Sequence, residues 1–131
     1  MVQYGGMNID VRRIDAARAV VEIRGEIDTY TAPRAKTVML ELLDEGHVHL
    51  IVNLQHIGFI DSTGLGMLLG TLRRLRECDG SLRLVAPPAH IRRLMEITRL
   101  TLAFPIDSSE EDAVHMSRQN AKVPGDAPLT T

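Results

Sequence analysis

The chain has few aromatic residues and almost no cysteine. Aromatics are 3% of the 131 residues and tryptophan is absent, so Leu, Ile, Val, Met and Ala must build the core. A platform for stacking single-stranded bases is also missing. One cysteine, Cys78, excludes an internal disulfide and any zinc site made from several cysteines. No apolar run approaches the roughly 20 residues that span a bilayer, and no basic segment followed by an apolar stretch opens the chain. Membrane insertion and secretion are therefore not expected, and a cytoplasmic location is. The formal net charge of −2 offers no basic footprint for nucleic acid or an anionic membrane. The local cluster Arg73-Arg74-Arg76 reads as a solvated helix face.

What is present is globular: 44% hydrophobic and 24% charged residues in a length that holds one core. Met7, Ile9 and Val11, then Val21 and Ile23, alternate with polar residues and predict two half-buried strands joined near Asp15-Ala16-Ala17. Thr31 as N-cap and Pro33 in the first turn open a helix with Ala35, Val38, Met39 and Leu42 on one face, stopped at Gly46. The apolar run Val48 to Leu54 predicts a central strand covered on both faces. A helix from Ser62 to about Cys78 follows, its stripe made by Leu65, Leu68, Leu69, Leu72 and Leu75. Ser81 to Val85 is a further strand, Ile91 to Thr98 a helix, and Leu102 to Ile106 a short edge strand. Ser108 with Glu111 forms a capping box for a last helix to about Gln119. This order predicts an α/β fold: a mixed sheet of about five strands with about four helices. The domain is assigned to 1–119, and the aperiodic, proline-containing tail 120–131 is expected to be disordered.

The most informative segment is Phe59-Ile60-Asp61-Ser62-Thr63-Gly64-Leu65-Gly66, where a strand turns into a helix through small polar residues. It lies just past a strand's carboxyl end, where sites on such sheets gather. Ser62 there can cap the helix, act as a nucleophile, or accept a phosphate as a switch. A nucleophile needs a base in reach, and His47, His49 and His56 read as surface histidines. Gly-x-Ser-x-Gly is absent around Ser62. Neither metal-ligand spacing nor a Gly-x-x-x-x-Gly-Lys phosphate loop is present, so no metal and no cofactor are expected. Gly66 and Gly70 lie one turn apart on a flank shared with Met67, read as exposed. Each glycine costs about 1 kcal/mol in a helix interior, and together they suggest a smooth surface for a partner.

The run Asn53 to Gly66, with Cys78 to Val85 and Ile97-Thr98-Arg99-Leu100, resembles the signature of STAS-domain anti-sigma factor antagonists. Gly25-Glu26-Ile27-Asp28 resembles that family's other characteristic turn. The resemblance covers about Met7 to Gln119. It implies a non-enzymatic protein that binds a bacterial anti-sigma factor and so frees a sigma factor. Ser62 matches the serine phosphorylated by that anti-sigma factor acting as an ATP-dependent kinase, with Thr63 as a second possible acceptor. A separate serine phosphatase would restore the active form. Asp28 and Asp61 match acids near the acceptor, and the partner-binding set is then Asp28, Asp61, Ser62, Thr63, Gly64, Gly66, Met67 and Gly70. Asn53 stands where an aspartate is common in the family, which is expected to alter the surroundings of the turn. Thr63 stands where a second serine is frequent. The alternatives are a STAS interaction module of a transporter or stress-signalling assembly, and a small hydrolase using Ser62.

Overall fold

The computed structural model describes residues 2–119. Strands β1 (Val2–Tyr4), β2 (Met7–Arg13) and β3 (Arg18–Ile27) form an antiparallel meander. The chain then alternates: α1 (Ala32–Asp44), β4 (His49–Ile60), α2 (Ser62–Glu77), β5 (Ser81–Val85), α3 (Ala89–Ile97), a 3-10 turn (Leu100–Leu102), β6 (Ile106–Asp107) and α4 (Glu110–Gln119). Each helical connection joins parallel neighbours, and the six strands lie in sequence order across one sheet. The α/β reading with a mixed sheet holds. No helix among the described residues is long and apolar enough to cross a membrane.

The two sheet faces divide the apolar residues by parity. Leu50, Val52 and Leu54 of β4, with Leu82 and Leu84 of β5, join the core beneath α1, α2 and α3. Ile51, Val85 and Val20 point the other way and meet Ala113 of α4. That double coverage makes the β4 run apolar at both parities, as a strand buried on both faces requires. α1 ends through paired backbone bonds, Gly46 N to Leu43 O and His47 N to Leu42 O, the geometry of a Schellman motif. β6 is only two residues long but is held to β5 by Arg83 and Asp107, a buried bidentate pair at 2.7 and 3.1 Å.

Several details differ from the sequence reading. A sixth strand, β1, adds to the edge of the meander through a tight turn at Gly5-Gly6. Leu102 belongs to the 3-10 turn, and the edge strand is confined to Ile106–Asp107. Ser109, one residue beyond the expected Ser108, caps α4 by accepting from Asp112 N at 3.1 Å. Thr31 occupies the N-cap position of α1 but makes no cap bond; its hydroxyl accepts from Asp28 N at 2.8 Å instead. His47 is buried under the α1–β4 turn, whereas His56 is exposed. The tail 120–131 lies outside the described residues.

Candidate partner-binding site

β3 and β4 run parallel with Ile27 opposite Ile60, so the next residue of each strand, Asp28 and Asp61, begins a turn at the same end of the sheet. Asp61 N donates to Ile27 O at 3.2 Å and ties the turns together. In the first turn the Asp28 carboxylate accepts from Tyr30 N at 2.9 Å and Thr31 N at 3.0 Å. The Thr31 and Tyr30 amides hold its carboxyl below the ordinary aspartate range. In the second turn Asp61 has extended backbone geometry and is the N-cap of α2, its Oδ1 accepting from Gly64 N at 3.0 Å.

That assignment corrects the role of Ser62. Three residues that favour helix starts stand in a row, and the carboxylate of the first takes the capping position. Ser62 becomes the first helical residue, exposed like Thr63. Among the described residues its hydroxyl makes no hydrogen bond to another group, histidines included. The hydrolase reading therefore has no base hydrogen-bonded to its nucleophile among the described residues. The described residues also contain no group of three or more His, Cys, Asp or Glu placed to hold a metal.

Two members of the expected contact set belong to the core instead. Gly64 is buried where α2 crosses the strand ends; a Cβ there would stand 2.6 Å from Ile60 Cγ1 and 3.0 Å from Ile27 O. Met67 is 5% exposed. α2 packs against both α1 and the sheet, so its buried arc is wider than the leucine stripe and takes in Met67. Gly66 is exposed with open space above it, and Gly70 lies beside Lys36 Nζ. Asn53 is also not at the turn: it faces α4, where Nδ2 donates to Glu110 Oε2 at 2.7 Å. Of the expected contact set, Ser62, Thr63 and Gly66 are thus exposed, and Asp28, Asp61 and Gly70 are half-buried.

Two exposed aromatics were not in the expected set. Tyr30 is 87% and Phe59 47% exposed, in the turn after β3 and near the end of β4, in a chain with only two tyrosines and two phenylalanines. Such scarcity gives each outward-facing ring weight, because aromatics dominate the energetics of protein contacts.

A family model described as STAS domain matches residues 8–113, which includes both turns. This chain belongs to the STAS-domain family of anti-sigma factor antagonists. The Staphylococcus aureus protein named anti-sigma-B factor antagonist is 39% identical over 80 residues, 61% of this chain and 74% of the relative. Among solved structures, an anti-sigma factor antagonist from Mycobacterium paratuberculosis superposes with a TM-score of 0.77 at 28% identity, over 86% of this chain and 94% of that one. The phosphorylated form of the Bacillus cell fate determinant SpoIIAA shares the fold, with a TM-score of 0.69 at 22% identity, over 85% of this chain and all of the other (100%). The STAS match begins within β2, so β1 and its glycine turn lie outside it.

Proposed function

We propose that this protein binds a bacterial anti-sigma factor through the two turns and the exposed start of α2, and so frees the sigma factor which that protein holds. In this reading the anti-sigma factor is also a serine kinase that phosphorylates Ser62 and ends the interaction. A serine phosphatase restores it. The antagonist performs no catalysis of its own.

The observation that carries the reading is the separation of duties at the turn: Asp61 caps α2 while the exposed Ser62 hydroxyl has no hydrogen-bond partner among the described residues. A kinase can take that hydroxyl without dismantling the helix start. Phosphoserine carries about −1.5 to −2 charges at neutral pH, and the amide end of α2 favours that charge within the unbound protein. An interface of about 800 Å² per side over the turn would have to desolvate it beside Asp61. A penalty of about 4 kcal/mol weakens binding about a thousandfold, enough for one group to act as an on/off control.

The test is incubation with the cognate anti-sigma factor and ATP, with the modified residue located by mass spectrometry and affinity measured before and after. Phosphate on Ser62, loss of binding by that form and by Ser62→Asp, and retention by Ser62→Ala are expected. Undiminished binding after stoichiometric phosphorylation would refute the switch. Co-purification with transporter or scaffold subunits, without affinity for any anti-sigma factor, would point instead to a STAS module of a larger assembly.

A further inference from the structure

The two most exposed aliphatic side chains among the described residues lie five positions apart, Ile97 at 70% in the last turn of α3 and Leu102 at 81% in the 3-10 turn. Leu94, Leu100 and Ala103 of the same segment are half-buried and pack against the core. The chain turns there at Arg99, which has φ +62°, a left-handed conformation that glycine adopts freely and an arginine does not. Arg99 and Arg93, the latter one turn before Ile97, are exposed, and neither guanidinium makes an ion pair or hydrogen bond among the described residues. Arg92, by contrast, is matched by Glu96 at 3.6 Å. The segment thus presents apolar side chains with two uncompensated positive charges, in a chain whose formal net charge is −2.

α3 is tied to the Ser62 end of the sheet and runs away from it. His90 Nε2 donates to Gly58 O at 3.0 Å, and because β5 and β6 are parallel the helix between them returns toward the opposite end. Ile97, the last residue of the helix, lies about 12 Å along its axis from the first, farther than the Debye length of about 8 Å at physiological ionic strength. Affinity arising there is the same whether or not Ser62 carries phosphate. A partner that phosphate must expel would be held back by such a contact, whereas a partner that must engage the phosphorylated form is served by it. A second copy would set arginine against arginine across a two-fold axis, and two free cations on an acidic chain attach weakly to an anionic membrane. An acidic protein segment with apolar side chains complements both features.

We infer that the surface formed by the end of α3 and the 3-10 turn is the docking site of the serine phosphatase, which meets it with apolar side chains bordered by carboxylates. The inference rests on the proposed function and deepens it: the turn at Ser62 carries the group to be removed, and a separate surface holds the enzyme that removes it. The decisive measurement is release of inorganic phosphate by the cognate phosphatase, as water hydrolyses the Ser62 phosphoester of the full chain, for wild type, Arg99→Gly, Ile97→Ser and Leu102→Ser. Glycine suits the left-handed backbone, so Arg99→Gly removes the guanidinium without lowering the melting temperature. Each variant should raise KM about tenfold with kcat unchanged, because docking is lost equally from ground and transition states. Arg99→Gly should also flatten the salt dependence of kcat/KM. The affinity of the unphosphorylated variants for the anti-sigma factor should equal that of wild type. Unchanged dephosphorylation kinetics in all three variants overturns the docking site and leaves the proposed function standing. Weakened anti-sigma factor binding by the same variants overturns it too, by assigning the surface to that partner. So does self-association of the wild type in sedimentation, or its adsorption to phosphatidylserine vesicles, where Leu102→Ser abolishes it. A wild-type chain that its anti-sigma factor does not phosphorylate overturns both the docking site and the proposed switch.

Discussion

Asn53 in the middle of β4 donates through Nδ2 to Glu110 Oε2 in the first turn of α4 at 2.7 Å, and the same carboxylate oxygen accepts from Arg12 Nη2 at 2.7 Å. The Asn53 carbonyl meanwhile accepts from Gln55 N at 2.9 Å. An asparagine amide, with a donor and an acceptor, satisfies both neighbours; a carboxylate satisfies one.

Asn53→Asp should therefore destabilise the fold by about 1–3 kcal/mol at neutral pH, through loss of the donor and a like charge beside Glu110. Glu110→Gln in the same background should return much of the loss. Urea unfolding of the single and double variants measures both, and additive losses would remove the coupling argument.

Acid should unfold the protein partly through Glu110. The Arg12 hydrogen bond foremost, with that from Asn53, holds its carboxyl below the ordinary glutamate value despite partial burial. A carboxyl whose folded pKa lies below the unfolded one stabilises the fold fully above about pH 4.3, the unperturbed value. That stabilisation is lost as pH falls through the depressed folded pKa. Glu110→Gln should flatten the dependence of the urea midpoint on pH below about 5, and an unaltered slope there would remove Glu110 from the acid limb.

The division between the Asp61 cap and the Ser62 hydroxyl at the start of α2 predicts different outcomes for adjacent alanines. Asp61→Ala should cost about 1 kcal/mol by freeing the Gly64 amide. Ser62→Ala should leave the melting temperature unchanged, and a loss equal to that of Asp61→Ala would return the cap to the serine.

The glycines of α2 should likewise separate. Gly64→Ala forces a methyl against Ile60 and Ile27 and should destabilise by about 1–3 kcal/mol. Gly66→Ala meets nothing within 4 Å and should stabilise the helix by about 1 kcal/mol, while weakening the anti-sigma factor if that face is covered. Thermal melts with a binding assay on the same two variants test both halves.

The sequence was most legible where burial imposes a period. The alternation in β2 and β3, the doubly covered run in β4 and the leucines of α2 locate those elements because each face has one environment. It was least legible where two environments meet. Met67 lies beyond the leucine stripe on a helical projection, but α1 and the sheet together widen the buried arc of α2. Asp61, Ser62 and Thr63 all suit a helix start, so residue type alone does not say which one caps. β1 has three residues and a glycine turn, too short for a period to be recognised. The contact of Gly6 in that turn with Gly25 relates positions that no local pattern connects. Asn53, expected to alter the surroundings of the turn, acts elsewhere: along a strand, neighbouring residues point to opposite faces, and this one points to α4.

The cap at Asp61 also bears on how long each form of the protein survives. A negatively charged group added to Ser62 leaves the bond that starts α2 in place and is favoured by the free helix amides, so the modified form should open to proteases no faster than the unmodified one. Modification at that residue would then not mark the protein for selective degradation.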